Sequence, residues 1–220
     1  MPTISATQFK AMMATDGHVR NQTVSEPVAY GVMDPEVPPI IKIINCVMPS
    51  FLIGYQSTKE LTIRDGKIPK LTIGSNSTVE TVVIRNCEID QLVLEETNIT
   101  SMHVSCINLT EIGGRYAAVS DLKIDGQLKT FSHNGLGGER LILKDCSLTS
   151  ITLPDTSVVQ FELNNISCPE ITVNYGSGKP GKFALTRVTT ANMSVLYNYV
   201  LKLDFSAPQM SVIGSLVLKP

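Results

Sequence analysis

The chain has no tryptophan, and its aromatic residues (5%) and charged residues (17%) are sparse against a hydrophobic share of 43%. A formal charge of −2 supplies no field strong enough to draw in DNA, RNA or an anionic membrane, so no nucleic-acid partner and no membrane partner is expected. No apolar run approaches the ~18 residues of a membrane-spanning helix. The opening Met1-Pro2-Thr3-Ile4-Ser5-Ala6-Thr7-Gln8 lacks the basic segment and apolar stretch of a secretion signal. The expectation is a protein made in the cytoplasm without secretion.

Metal and disulfide frameworks are also missing. Cys46, Cys87, Cys106, Cys146 and Cys168 are odd in number, with neither the CxxC spacing of a zinc site nor the density of a disulfide scaffold. His18, His103 and His133 stand far apart, without a spacing that would gather metal ligands, and no cofactor motif is present. No metal and no cofactor is expected.

What the chain does have is a repeat. Apolar residues recur as Φ-x-Φ-x-x-Φ-x-Φ-x-x-Φ-x-Φ, followed by a less regular stretch. Leu61, Ile63, Gly66, Ile68, Leu71 and Ile73 set the frame, and Val82, Ile84, Cys87, Ile89, Leu92 and Leu94 repeat it. Leu141, Leu143, Cys146, Leu148, Ile151 and Leu153 do so again, as do Phe161, Leu163, Ile166, Cys168, Ile171 and Val173. Counting the less perfect units, coils start at Ile41, Leu61, Val82, Met102, Leu122, Leu141, Phe161, Phe183 and Leu203. Their spacings are 20, 21, 20, 20, 19, 20, 22 and 20 residues, and the coil at Leu122 carries a one-residue deletion.

A period of two sends alternate side chains to opposite faces of a strand, so the apolar slots point inward. No crossover helices are available to cover a conventional parallel sheet, so each strand must pair with its equivalent one coil away, at roughly 4.8 Å. The predicted class is all-β: a single-stranded parallel β-solenoid of about nine coils of ~20 residues, with right-handed winding as the default for parallel connections.

Corner chemistry fits that register. Asn45, Asp65, Asn86, Asp145 and Asn165 share the fifth position, where a left-handed turn is expected, and Pro49, Pro69 and Pro169 share the ninth, where no ladder donor is needed. Gly54, Gly74, Asn134, Pro154 and Asn174 form a second set of turn residues at the fourteenth. Cys46, Cys87 and Cys146 share an inward slot in coils too far apart to bridge, which reads as buried reduced thiols. The five-residue offset between strands, with a fourth side at Ile99, Val119, Val158 and Val200, resembles the quadrilateral coil of pentapeptide-repeat proteins over residues 41 to 215. That family favours Ala and then Asp or Asn before its central Leu, whereas this chain puts large Leu, Val or Phe in the first slot. The resemblance implies architecture and no function.

Two regions follow: an N-terminal arm over 1–39 and a solenoid over 40–220. Ser5 to Gln8 reads as a capping box opening a short helix that ends at Gly17, with Phe9, Met12 and Met13 on one face. Asn21 to Pro39 reads as extended and irregular, either capping the first coil or tethering the rod to a larger assembly. At the other end Leu216, Val217 and Leu218 suggest contact with another chain.

Candidate interface residues come from three further places. The outward twelfth position gives a flat, weakly charged row of Leu52, Thr72, Val93, Gly113, Thr152 and Thr172. Tyrosine recurs at the fifteenth position in Tyr55, Tyr116, Tyr175 and Tyr197, either at an interface or pinning loops to the core. Leu216 and Leu218 complete the set. An outward row of Ile44, Arg64, Arg85, Ser105, Asp125, Lys144, Asn164 and Thr186 makes Arg64 and Arg85 neighbours, with Asp65 nearby, but gathers no carboxylate pair of the kind glycan cleavage requires. The function expected is therefore a non-enzymatic structural or interaction protein, a homo-oligomer whose protein partners are a larger assembly or further copies of itself, such as a virion component in capsid decoration or a tail. A polymer-forming cytoskeletal solenoid and a carbohydrate-active enzyme are the alternatives; a nucleic-acid mimic would need more acidic walls.

Overall fold

The computed structural model describes residues 1–32, 34, 37–176, 182–197, 204–206 and 210–219. With 72% of the described residues in strand and, among them, one helix of 11 residues, the class is all-β, and the coils stack as a β-solenoid of about nine turns. Among the described residues every strand pairing is parallel and joins one coil to the next. The first inward slot is a continuous column in which Ile41, Leu61, Val82, Met102, Leu122, Leu141, Phe161 and Phe183 face one another rung by rung. None of them is more than 1% exposed. The expected fourth side is also present: Thr58, Val79, Ile99 and Val119 stack in register, as do Gly138 and Val158. Val200 lies outside the described residues.

The register departs from the sequence spacing at several places, two of which move a predicted slot. Cys106 pairs with Gly126 and Leu109 with Leu128, so Ile107 and Asn108 oppose Gln127 alone. This bulge absorbs the one-residue deletion and turns the Ile107 side chain outward, where it is 59% exposed. Near the C-terminal end Phe183 pairs with Phe205, so the ninth coil starts two residues later than expected; Leu203 lies outside the described residues. Leu201, Leu203 and Phe205 all satisfy an alternation of two, and such a pattern cannot by itself choose between slips of two residues.

Corners form where the fifth-position residues allow them. Asn45, Asp65, Asn86, Asp145 and Asn165 all take positive φ, between 51° and 57°. Their side chains also link neighbouring rungs, Asn86 Nδ2 donating to Asp65 Oδ1 (3.2 Å) and Asn165 Nδ2 to Asp145 Oδ1 (2.7 Å). The second corner falls one residue beyond the expected fourteenth position: Tyr55, Tyr116 and Asp155 take φ of 56°, 54° and 55°. Gly54 and Gly74 instead end strands Ser50–Gly54 and Lys70–Gly74. Gly74 is required by space rather than by φ, because a Cβ there would sit 2.8 Å from the Glu95 carbonyl oxygen.

The helix Ala6–Asp16 begins at the expected capping box, Ser5 Oγ accepting from Gln8 N (3.2 Å) and Ser5 N donating to Gln8 Oε1 (2.9 Å). It ends at Gly17, φ 68°, whose N–H donates to Met13 O (2.8 Å). Phe9 and Met13 are fully buried, and Phe9 meets Phe51 edge to face at 6.2 Å, as does Tyr30. The helix thus covers the first coil. Beyond it the chain is less irregular than its prolines suggest. Strand His18–Arg20 pairs with Lys42–Ile44, and Val28–Tyr30 pairs with Phe51–Ile53. Residue 40 marks the start of the sequence repeat, while the parallel ladder reaches back to His18. The repeat is unreadable there because Gly17 stands one rung from Ile41, where an apolar slot would fall, and a Cβ on it would lie 2.4 Å from Ile40 O.

Candidate functional site

Two outer walls carry the side chains that could do work. The second wall, on strands such as Ser50–Gly54 and Glu170–Tyr175, presents the predicted row in register. Leu52 pairs with Thr72, Thr72 with Val93 and Val93 with Gly113. Further along, Ser132 pairs with Thr152 and Thr152 with Thr172. Ser132 is the member that the sequence reading missed, because the deletion in its coil shifts it off the twelfth position. Thr152 and Thr172 are exposed, Leu52, Thr72 and Val93 are half-buried, and Gly113 is buried. Every side chain in this column is uncharged, so the strip is smooth, with hydroxyls toward the later coils. On the parallel outward column beside it, Gln91 Nε2 donates to Glu111 Oε2 (3.3 Å) and Asn192 Nδ2 to Glu170 Oε1 (2.6 Å). These bonds tie the wall's few acids into the surface.

The tyrosines divide. Tyr55 and Tyr116 sit at the corner bordering this wall, 53% and 59% exposed. Tyr175 is instead fully buried, and burial raises its hydroxyl well above the ordinary tyrosine range. It pins the coil to the core and offers nothing to a partner. Phe9 and Met13 likewise belong to the core, because the cap helix turns them onto Phe51; of that face only Met12 reaches the surface, at 36% exposure. The side chains of Tyr197, Leu216 and Leu218 lie outside the described part of the structure, although register places Leu216 opposite Met193 and Leu218 opposite Val195.

The first wall, on strands such as Ser57–Arg64 and Thr78–Arg85, carries most of the ionic side chains. As expected, Arg64 and Arg85 are directly opposed. Above them His103 Nε2 meets Asp125 Oδ2 at 2.8 Å and Lys123 Nζ lies 3.4 Å from the same oxygen. Burial works to raise the Asp125 carboxyl, but hydrogen bonds from Ser105 and His103 outweigh it and hold the group below its usual range. Ser105 and His103 both bond the carboxylate rather than each other, so this is an ion-pair cluster and not a base activating a nucleophile. Arg140 and Glu162 pair at 3.3 Å one rung apart.

Further polar groups are buried where no apolar pattern announces them. Gln56, Ser77, Thr97 and Thr156 line the second corner inside the rod. Thr97 Oγ1 donates to Ser77 O (3.0 Å) and Thr156 Oγ1 to Leu136 O (2.8 Å), each reaching one coil away. His133 is fully buried, and its Nε2–H donates to Leu94 O at 2.9 Å. The ring crosses the rung of Gly114, where a Cβ would lie 1.9 Å from that same oxygen. Burial pushes the imidazole below its ordinary pKa, against the opposing pull of its backbone bonds.

All five cysteines are buried and free, and burial raises the Cys106 and Cys146 thiols to about 12, which makes them inert at neutral pH. Cys106 lies in the coil next to Cys87, whose carbonyl accepts from Ile107 N (3.1 Å). Among the described residues no three His, Cys, Asp or Glu side chains lie together so as to hold a metal ion, and no helix is long and apolar enough to cross a membrane.

Comparison with protein-family models, with curated proteins and with solved structures finds no match to this chain.

Proposed function

We propose that the chain is a non-enzymatic structural or interaction rod that docks through its second wall onto a larger protein assembly, as a virion component in capsid decoration or a tail would. The observation that carries this reading is the uncharged column of Leu52, Thr72, Val93, Gly113, Ser132, Thr152 and Thr172, in register along the rod. A flat strip without charge loses little solvation when covered, and exposed Tyr55 and Tyr116 at its edge are the side-chain type enriched in protein interfaces. The thiols and the buried histidine are shielded from substrate, and the ionic groups around Asp125 neutralise one another.

The test is attachment. Thr152→Lys with Thr172→Lys places two charges in the strip while leaving the inner columns intact. Loss of co-sedimentation with particles from the source, with stability lowered by no more than ~1 kcal/mol, supports the proposal; undiminished attachment rejects it. Electron microscopy of the purified chain adds a second readout, since filaments would favour the polymer-forming alternative.

A further inference from the structure

One outward column of the first wall runs Arg20, Ile44, Arg64, Arg85 on successive rungs. Rungs are about 4.8 Å apart, so Arg64 and Arg85 are nearest neighbours and Arg20 stands two rungs from Arg64 with Ile44 between them. Lys42 joins from the adjacent outward position, and a depression of about 230 Å³ opens among Arg20, Lys42, Ile44, Glu60, Thr62 and Arg64. Three cations, Arg20, Lys42 and Arg64, line it around one carboxylate, and Arg85 stands one rung beyond Arg64. Glu60 is already engaged, with Lys42 Nζ 3.6 Å away and Thr62 Oγ1 donating at 2.7 Å. Asp65, next along the chain from Arg64, accepts from Asn86. None of the three guanidiniums has a hydrogen-bond or ion-pair partner among the described residues.

The later coils of the same wall behave differently, with Arg140 on Glu162 and both His103 and Lys123 on Asp125. The fold therefore can neutralise cations on this wall, and at the early coils it pairs Lys42 with Glu60 but leaves the three arginines without a carboxylate. Like charges directly opposed on a ladder work against folding, so the arginine column is a cost that the solenoid itself does not explain. Guanidinium forks match a tetrahedral oxyanion two bonds at a time, and several together raise its local concentration.

We propose that Arg20, Arg64 and Arg85, with Lys42, form a binding site for a tetrahedral oxyanion, the phosphate or sulfate group of a ligand that the rod meets. This site lies on a different wall from the docking strip and does not depend on that reading.

The probes are inorganic phosphate, pyrophosphate and sulfate, titrated calorimetrically at low ionic strength with chloride as control. Saturable binding of at least one is expected, weakened tenfold or more by Arg64→Gln or Arg85→Gln and unchanged by Arg140→Gln, whose guanidinium has a partner. Preference for phosphate or for sulfate then identifies the source of the group. Without ligand, Arg85→Gln should melt no lower than the parent, since it removes a repulsion. Absence of binding by all three anions, equal binding of chloride, or unchanged affinity in both arginine variants would overturn the proposal.

Discussion

Two outer walls of this rod hang on the same inner columns and yet could hardly differ more. On the first wall Lys42, Arg64, Arg85, Lys123, Asp125, Arg140 and Glu162 make an ionic surface; on the second, Thr72, Val93, Ser132, Thr152 and Thr172 make a neutral column. In a parallel ladder the inward residue fixes the fold and the outward residue is free, so each wall can be written separately once the core is satisfied. The contrast teaches that function on such a scaffold is to be sought in how outward columns depart from their neighbours.

The largest expected effect breaks both walls together. Phe161→Ala removes a ring stacked on Phe183 at 4.6 Å in the fully buried first column and should cost about 3–5 kcal/mol, read by denaturant unfolding. A loss of under 1 kcal/mol would mean that the walls do not share this core.

Acid should act next, again on both walls. Native His133 resists protonation because burial depresses its pKa, whereas the unfolded chain takes up the proton near pH 6.5. Stability is thus full above that pH and falls as pH drops toward the lowered folded value, by at most ~1.4 kcal/mol per pH unit. Melting temperature against pH measures this, and His133→Gln, which can still donate to Leu94 O, should flatten the curve between pH 6.5 and 5.

Smaller effects separate the walls. Thr152→Lys with Thr172→Lys opposes like charges on adjacent rungs and should cost no more than ~1 kcal/mol in stability while abolishing attachment. Arg140→Ala on the first wall removes a solvent-exposed ion pair and should shift stability by only ~0–1 kcal/mol, with attachment untouched.

Much of this architecture was legible because it is local and repeated. The six apolar slots, the Asx residues at the fifth position and the capping box of Ser5 and Gln8 each declare themselves within a few residues. What was not legible depends on neighbours 20 or more residues away. Ser77, Thr97 and Thr156 are polar in sequence but buried, because a carbonyl of the adjacent coil accepts the Thr97 and Thr156 hydroxyls and Ser77 Oγ meets Thr97 Oγ1 at 3.0 Å. Tyr55 and Tyr116 carry no preference for left-handed backbone, yet the corner holds them there, which only the surrounding ladder can enforce. Of the candidate sites, the second-wall strip was visible as a column, with Ser132 hidden by the deletion. Arg64 and Arg85 were visible as neighbours, but the addition of Arg20 and Lys42 needed the stacking of His18–Arg20 on the first repeat coil.

Thiol bridging between rungs tests the register most directly. Thr152→Cys with Thr172→Cys puts two exposed thiols on adjacent rungs, while the five native thiols are buried and should not compete. A short bifunctional thiol reagent should join this pair within one chain and leave Thr152→Cys with Thr186→Cys, on opposite walls, unjoined. Bridging of the second pair, or failure of the first, would contradict the stacked-coil account.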